Sequence, residues 1–120
     1  MATILAVDDS PSMRALVQAT LAGAGHEVVQ ASDGVEALGI AQTRAVNLVL
    51  ADVNMPRMNG IDLVKKLRGL APYKFVPILM LTTEISPELK KDAKTAGATG
   101  WLVKPFDPAG LLATIKKVLN

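Results

Sequence analysis

Five polar residues stand where short apolar segments of the chain end. Asp8, Asp9 and Asp52 supply carboxylates, Thr82 a hydroxyl and Lys104 an ammonium group. Three carboxylates placed together repel one another unless a cation lies among them. With oxygen ligands and no nearby histidine, the expected ion is a hard one, Mg²⁺, which also binds phosphate oxygens. These residue types therefore predict a magnesium site that can hold a phosphoryl group.

The formal charges of such a site balance. Three carboxylates are cancelled by one Mg²⁺ and the Lys104 ammonium. An acyl phosphate on Asp52 would add roughly one further negative charge. The metal and Lys104 would hold that charge, and the Thr82 hydroxyl would donate a hydrogen bond to it. Asp52 is accordingly the expected phosphoryl acceptor.

Each of these residues, taken alone, has a simpler explanation. Asp9 or Ser10 would serve as a helix cap, and Asp52 would be an ordinary turn residue. Thr82 would merely end a strand, and Lys104 would be a solvated charge. Only their joint placement at one edge of a sheet favours a site, so the interpretation depends on the fold.

Five short apolar segments predict buried strands. They read as continuous apolar runs, which is typical of a parallel sheet that helices cover on both faces. The predicted strands are Thr3–Val7, Glu27–Ala31, Asn47–Ala51, Val76–Leu81 and Gly100–Val103.

Helical segments lie between the strands. Apolar residues at 3.6-residue spacing give one buried face to the first helix and one to the last; they are Met13, Leu16, Val17, Thr20, Leu21 and Ala24, then Leu111, Leu112, Ile115, Val118 and Leu119. A cap residue followed by proline marks three helix starts, at Ser10–Pro11, Ser86–Pro87 and Asp107–Pro108. The second helix is expected to begin near Asp33–Gly34 and the third near Asn59–Gly60. Glycines mark positions where helices of the chain are expected to end, at Gly23, Gly25 and Gly97.

This alternation of strands and helices predicts an α/β fold, a doubly wound five-stranded parallel sheet with five helices. We expect the strand order 2-1-3-4-5, one of the common orders of such sheets. Such sheets bind ligands beyond the carboxyl ends of their strands, where the strand order reverses. In this order the reversal lies between strand one, which ends before Asp8 and Asp9, and strand three, which ends before Asp52. The three carboxylates are therefore expected to converge.

The composition narrows the class of protein. The chain has 120 residues, half of them apolar, which suits one domain spanning residues 1–120. Its net charge of +2 does not by itself indicate a nucleic acid or a membrane surface. Without cysteine, disulfide and thiolate chemistry are excluded. No apolar run is long enough for a membrane span, and we expect a cytoplasmic protein without membrane insertion.

Four motifs, in order and spacing, resemble those of bacterial two-component response-regulator receiver domains, in particular the single-domain, CheY-like chemotaxis type. The resemblance covers essentially the whole chain and implies the flavodoxin-like fold just described. Its motifs are Val7-Asp8-Asp9-Ser10, the segment from Asp52 to Gly60, Leu81-Thr82-Thr83-Glu84 and Lys104-Pro105-Phe106.

The resemblance implies a role for each matching residue. Asp52 would be the phosphoacceptor, without turnover of an external substrate. Lys104 would pair with the phosphoryl group, and the peptide bond between Lys104 and Pro105 would be cis. Asp9 would bind Mg²⁺ directly and Asp8 mainly through water, with the backbone carbonyl of Asn54 as a further ligand. Thr82 would move toward the phosphoryl group, and Trp101 occupies the aromatic switch position of the family.

Two residues depart from the family pattern. Trp101 replaces a tyrosine, and its larger ring either turns inward on activation or simply stays packed. Thr83 stands where relatives often have a small residue, so its branched side chain is expected to restrict attacking water. Asn54 and Glu84 match positions that tune the phosphoryl lifetime, and they favour fairly rapid self-dephosphorylation.

Lysines near Trp101 predict a basic surface. They are Lys90, Lys91 and Lys94 on the fourth helix and Lys116 and Lys117 on the fifth. This surface is either a docking face for an acidic or amphipathic peptide, such as that of a flagellar switch protein, or an ordinary solvated face.

Lys65, Lys66 and Arg68 are expected to be surface charges only. The resemblance implies a sensor histidine kinase, a chemotaxis kinase, as phosphoryl donor, and a phosphatase as a further partner of a monomeric chain.

Other functions on the same fold are less well supported. A phosphatase of the haloacid dehalogenase type needs an acid two residues after its nucleophile, and here that residue is Asn54. A nucleotide-binding module needs a glycine-rich loop that the chain lacks. A transcription regulator needs a DNA-binding domain after the last helix. The sequence ends at Asn120, just after that helix, so no DNA contact is expected. A phosphate sink or phosphorelay intermediate outside chemotaxis stays an alternative.

Overall fold

The computed structural model describes residues 1–119, in which strands and helices alternate along the chain. The strands are β1 (Thr3–Val7), β2 (Glu27–Ala31), β3 (Leu48–Ala51), β4 (Ile78–Thr82) and β5 (Gly100–Val103). The helices are α1 (Pro11–Gly23), α2 (Gly34–Thr43), α3 (Gly60–Arg68), α4 (Pro87–Ala96) and α5 (Pro108–Leu119), with a short 3₁₀ helix at Ala71–Tyr73. None of the helices in this part of the chain is long and apolar enough to cross a bilayer.

The five strands form one parallel sheet in the order β2-β1-β3-β4-β5, which confirms the predicted fold. Successive side chains of β1 alternate between two apolar clusters. One cluster packs beneath α2, α3 and α4, and the other beneath α1 and α5. Because helices cover both faces, the central strands β1, β3 and β4 are buried almost throughout, which accounts for their continuous apolar sequences.

Two strand boundaries differ from the prediction. β3 begins at Leu48, one residue later than predicted. The side-chain oxygen of Asn47 accepts from the amide of Thr3, and the amide of Asn47 donates to the carbonyl of Thr3, each at 2.8 Å, so Asn47 bonds to the start of β1. β4 begins at Ile78 and extends to Thr82. Pro77 lacks an N–H and contributes only its carbonyl, which accepts from the amide of Val49, so regular pairing starts one residue later.

The predicted helix starts are confirmed by their caps. The side chains of Ser10, Asp33, Asn59, Ser86 and Asp107 each accept a hydrogen bond from the amide three residues on. Gly97 ends α4 with a φ of 113°, a conformation that glycine adopts without steric cost. The predicted buried face of α1 is narrower than expected: Val17 and Leu21 are buried, whereas Leu16 is half exposed.

Arg68 is not merely a surface charge, which corrects the expectation from the sequence. Its guanidinium donates to the carbonyl of Gly97 from two nitrogens, at 3.0 and 2.8 Å, and to those of Tyr73 and Val76, each at 2.7 Å. Burial lowers the pKa of Arg68. This side chain therefore joins the end of α3 to the end of α4 and to the segment before β4.

Candidate functional site

The carboxylates of Asp8, Asp9 and Asp52 meet at the carboxyl ends of β1 and β3. One oxygen of each lies within 4.8 Å of those of the other two. Asp8 and Asp52 are buried, with 6 % and 8 % of their surface exposed, whereas Asp9 is exposed. The convergence predicted from the strand order is thus present, because β1 and β3 are direct neighbours in the sheet.

Lys104, just beyond β5, reaches across the sheet edge to two of these acids. Its Nζ lies 2.5 Å from Oδ2 of Asp8 and 2.9 Å from Oδ2 of Asp52. Burial opposes its positive charge, but the hydrogen bonds and charges of both carboxylates more than offset burial and raise the pKa of Lys104. The ammonium therefore holds two buried carboxylates together at the sheet edge. The Lys104–Pro105 peptide bond is cis, as expected.

The backbone around Asp52 holds its carboxylate in one orientation. Oδ1 accepts a hydrogen bond from the amide of Val53 at 2.7 Å and one from that of Asn54 at 3.4 Å. The amide of Gly60 donates to the carbonyl of Val53, which closes the loop between β3 and α3. A Cβ on Gly60 would lie 2.0 Å from the main-chain oxygen of Asp52, so only glycine permits this approach.

The turn after β1 orients the other two acids. Oδ1 of Asp8 accepts from the amide of Ser10 at 2.9 Å, and the Ser10 hydroxyl caps α1. Ser10 is therefore the cap, and Asp9 remains exposed at the mouth of the site. Arg14, which the sequence analysis missed, donates from Nη1 to the main-chain oxygen of Asp8 at 2.6 Å. The only signal in the sequence is its position one turn into α1, the helix that follows the acidic pair.

The donor set fits a hard divalent cation. Three carboxylates converge, and each offers an oxygen ligand. Mg²⁺ is usually held by one or two carboxylates, waters and phosphate oxygens, which suits an open site with one exposed acid. Asp8, Asp9 and Asp52 are the residues that would hold it.

Glu84 connects Thr82, Trp101 and Asn54. The Thr82 hydroxyl, fully buried at the end of β4, accepts from the Glu84 amide at 3.2 Å. The Trp101 indole N–H donates to the main-chain carbonyl of Glu84 at 3.2 Å. The side-chain amide of Asn54 donates to the Glu84 carboxylate at 2.7 Å. Trp101 is half-buried, and Thr83 faces solvent. The loop after β4 thus touches both the acidic site and the edge strand.

The predicted basic surface flanks that edge strand. Within residues 1–119 the lysines concerned make no ion pair, and all are exposed: Lys90, Lys91, Lys94, Lys116 and Lys117. Because α4 and α5 lie on opposite faces of the sheet, they border β5, which carries Trp101, from both sides.

A doubly wound parallel sheet with this acidic site and lysine defines the class of receiver domains. The chain belongs to the family described as response regulator receiver domain, whose profile matches residues 4–116. Members of this family are in general phosphoacceptors rather than enzymes, and phosphorylation on an aspartate follows from membership.

Known relatives narrow the class to the CheY-like type. The chain is 42 % identical to chemotaxis protein CheY1 of Helicobacter pylori over 98 % of its own length and 96 % of that protein. It is 56 % identical to the solved chemotaxis protein CheY4 of Vibrio cholerae, with a TM-score of 0.95 and 98 % of each chain covered. The receiver domain of a sensor histidine kinase from Pseudomonas aeruginosa, solved with magnesium in its active-site cleft, is 26 % identical, with a TM-score of 0.92 over 98 % of this chain and 97 % of that one.

Proposed function

We propose that residues 1–120 act as a single cytoplasmic receiver domain in chemotaxis and that Asp52 takes up the phosphoryl group from a sensor histidine kinase. The observation that carries this proposal is the position of the Lys104 ammonium, 2.9 Å from Asp52 and 2.5 Å from Asp8. This arrangement provides a fixed cation beside a carboxylate whose orientation two backbone amides already hold.

Asp52 acts as the nucleophile in this proposal. Its carboxylate attacks the phosphorus of a phosphohistidine, a P–O bond forms, and the P–N bond to the histidine breaks. Asp8, Asp9 and Asp52 would hold a Mg²⁺ ion, which when bound would supply positive charge to the transferring phosphoryl oxygens. The backbone carbonyl of Asn54 would be a further ligand. The relative from Pseudomonas aeruginosa, with magnesium in the same kind of cleft, supports this assignment.

Phosphorylation changes the hydrogen bonding of the loop after β4. The Thr82 hydroxyl turns to donate to the new phosphoryl group, and its contact with the amide of Glu84 is given up. Because Glu84 also holds the Trp101 indole, the change reaches the edge strand. The phosphoryl group thereby shifts the balance between two packings of the ring.

The basic surface beside Trp101 is the proposed output face. Five exposed lysines favour an acidic or amphipathic segment, and the chemotaxis names of the relatives favour a flagellar switch protein as its source. A chemotaxis kinase and a phosphatase are the other proposed partners.

Fluorescence of Trp101, the chain's only tryptophan, tests the proposal. Beryllofluoride with Mg²⁺, a mimic of the aspartyl phosphate, should change the emission of the parent chain but not of Asp52→Asn. Acetyl phosphate should add one phosphoryl mass to the parent only. If the parent shows neither change with metal present, the proposed function is wrong.

A further inference from the structure

The loop between β3 and α3 contains an unusual turn. Arg57 has a φ of 65° and is, within residues 1–119, the one non-glycine residue with a positive φ. The amide of Met58 donates to the carbonyl of Pro56 at 2.7 Å, which closes a three-residue turn centred on Arg57. Such a turn is strained when its central residue carries a side chain, and it persists only where the surrounding structure holds it.

An ion pair holds this turn against the start of α2. Arg57 donates from Nε to Oδ2 of Asp33 at 2.8 Å, and its Nη2 lies 2.7 Å from the same oxygen. The other oxygen of Asp33 accepts from the amide of Glu36 and caps α2, so the carboxylate is oriented by the helix itself. The Asp33 side chain is 7 % exposed and that of Arg57 60 %. A fixed, buried anion therefore anchors an arginine from the surface.

The backbone of α2 also approaches the turn closely. A Cβ on Gly34 would lie 2.7 Å from the main-chain oxygen of Met58 and 2.8 Å from its Cβ. Only a glycine at the first position of α2 leaves room for the turn. The ion pair and this close contact both join the turn to the first residues of α2. They therefore fix the position of the turn, which is the outer end of the loop, relative to α2.

The inner end of the loop lies at the phosphoacceptor. Gly60 packs against the main chain of Asp52, and the amide of Gly60 donates to Val53. Between the two anchors lies Asn54, whose side chain donates to Glu84. Its backbone carbonyl is the proposed metal ligand. A shift of the turn would therefore move a metal ligand and the group bonded to Glu84 together.

We propose that Arg57, through its ion pair with Asp33, is a positioning residue for the magnesium site. It touches neither the metal nor the phosphoryl group, but it holds the loop that presents Asn54. The proposal rests on the proposed function, because it concerns the Mg²⁺ of that same site. Partners of this second layer commonly determine how well a metal ligand is oriented.

Calorimetric titration with MgCl₂ tests the proposal on the parent, Arg57→Asn, Asp33→Asn and the double variant. Asparagine tolerates a positive φ at residue 57 and caps a helix at residue 33, so each change removes the ion pair and spares the turn and the cap. Each single variant should bind Mg²⁺ about threefold to tenfold more weakly. The double variant should bind no more weakly than the singles, because both lose the same interaction.

Arg44→Asn is the matched control. Arg44 pairs with Glu27 at the opposite end of the sheet, so its loss should leave Mg²⁺ affinity unchanged. Parent-like affinity in Arg57→Asn, an equal loss in Arg44→Asn, or additive losses in the double variant would each overturn the positioning role. A parent chain that binds no Mg²⁺ would overturn the proposed function itself, and the positioning role with it.

Discussion

Lys104 bonds to Asp52 at 2.9 Å and thereby connects the edge of the sheet to its central strand. The same ammonium lies 2.5 Å from Asp8, so one cation serves two buried carboxylates. Such a cation reduces their mutual repulsion before any metal binds. Lys104 and a divalent ion therefore supply charge to the same acids, and each should matter more when the other is absent.

Removal of this cation should make the fold more dependent on metal. We expect Lys104→Met to lower the free energy of unfolding by about 1–3 kcal/mol in EDTA, because two buried carboxylates lose their hydrogen-bond donor. Mg²⁺ should then raise the urea midpoint of the variant more than that of the parent. Lys116→Met, which changes an exposed lysine, is the control. Equal gains from Mg²⁺ in Lys104→Met and the parent would contradict this prediction.

Thr83 should slow the loss of the phosphoryl group. Its branched side chain is exposed and directly follows Thr82, and it is expected to restrict attacking water. Thr83→Ala should raise the rate of dephosphorylation about threefold, which corresponds to less than 1 kcal/mol of barrier. The decay of phosphorylated protein after removal of the donor measures it, with Thr95→Ala on α4 as control. A slower decay in Thr83→Ala would refute the role, and a parent lifetime of many hours would contradict rapid self-dephosphorylation.

Arg68 should contribute to stability far more than the lysines of α3, which are exposed. Arg68→Ala leaves the carbonyls of Gly97, Tyr73 and Val76 without their donor and should cost about 2–4 kcal/mol of unfolding free energy. Arg68→Lys should recover less than half of the loss, because an ammonium cannot reproduce the planar fork. Lys65→Ala, on the exposed side of the same helix, should change stability by less than about 0.5 kcal/mol. Urea unfolding of the three variants and the parent measures these differences in stability. Parent-like stability of Arg68→Lys would show that a positive charge alone suffices and would contradict the prediction.

Asp33 should make stability depend on pH at the acid end. Its pKa is lowered, first by the backbone N–H of Glu36 and further by Arg57, against the opposing effect of burial. A lowered pKa means that the stabilisation is present above the ordinary carboxyl value, about 4, and is lost as the pH falls through the lowered pKa. The stability advantage of the parent over Asp33→Asn should therefore shrink between about pH 5 and pH 2. A difference independent of pH would show that the carboxylate charge is not involved.

Much of the site could be inferred from the sequence because the residues concerned stand at strand ends. Asp8 and Asp52 needed only the strand order to be placed side by side. Helix starts such as Ser10 and Ser86 were equally accessible, since a cap and a following proline act locally. The predicted start of β4 at Val76 was wrong for an equally local reason, because Pro77 extends the apolar run but has no N–H for regular pairing.

Arg68, Arg14 and Arg57 show what sequence patterns leave undetermined. Each guanidinium finds its acceptors through the fold: Arg68 on carbonyls near α4, Arg14 on the main chain of Asp8, and Arg57 on Asp33. An arginine on a polar face has the same pattern in sequence whether it is solvated or bonded. Its partners are separated from it along the chain by loops whose geometry no periodicity specifies.

The sequence by itself determined the element order, the doubly wound class of the fold and the identity of the acids, because apolar periodicity, caps and strand ends are local properties of the chain. Tertiary structure alone decided that Lys104 bridges Asp8 and Asp52, that Glu84 joins Thr82 to Trp101, and that Arg57 meets Asp33. Those contacts depend on distances of a few ångströms between segments far apart in sequence, and only the packed fold sets such distances.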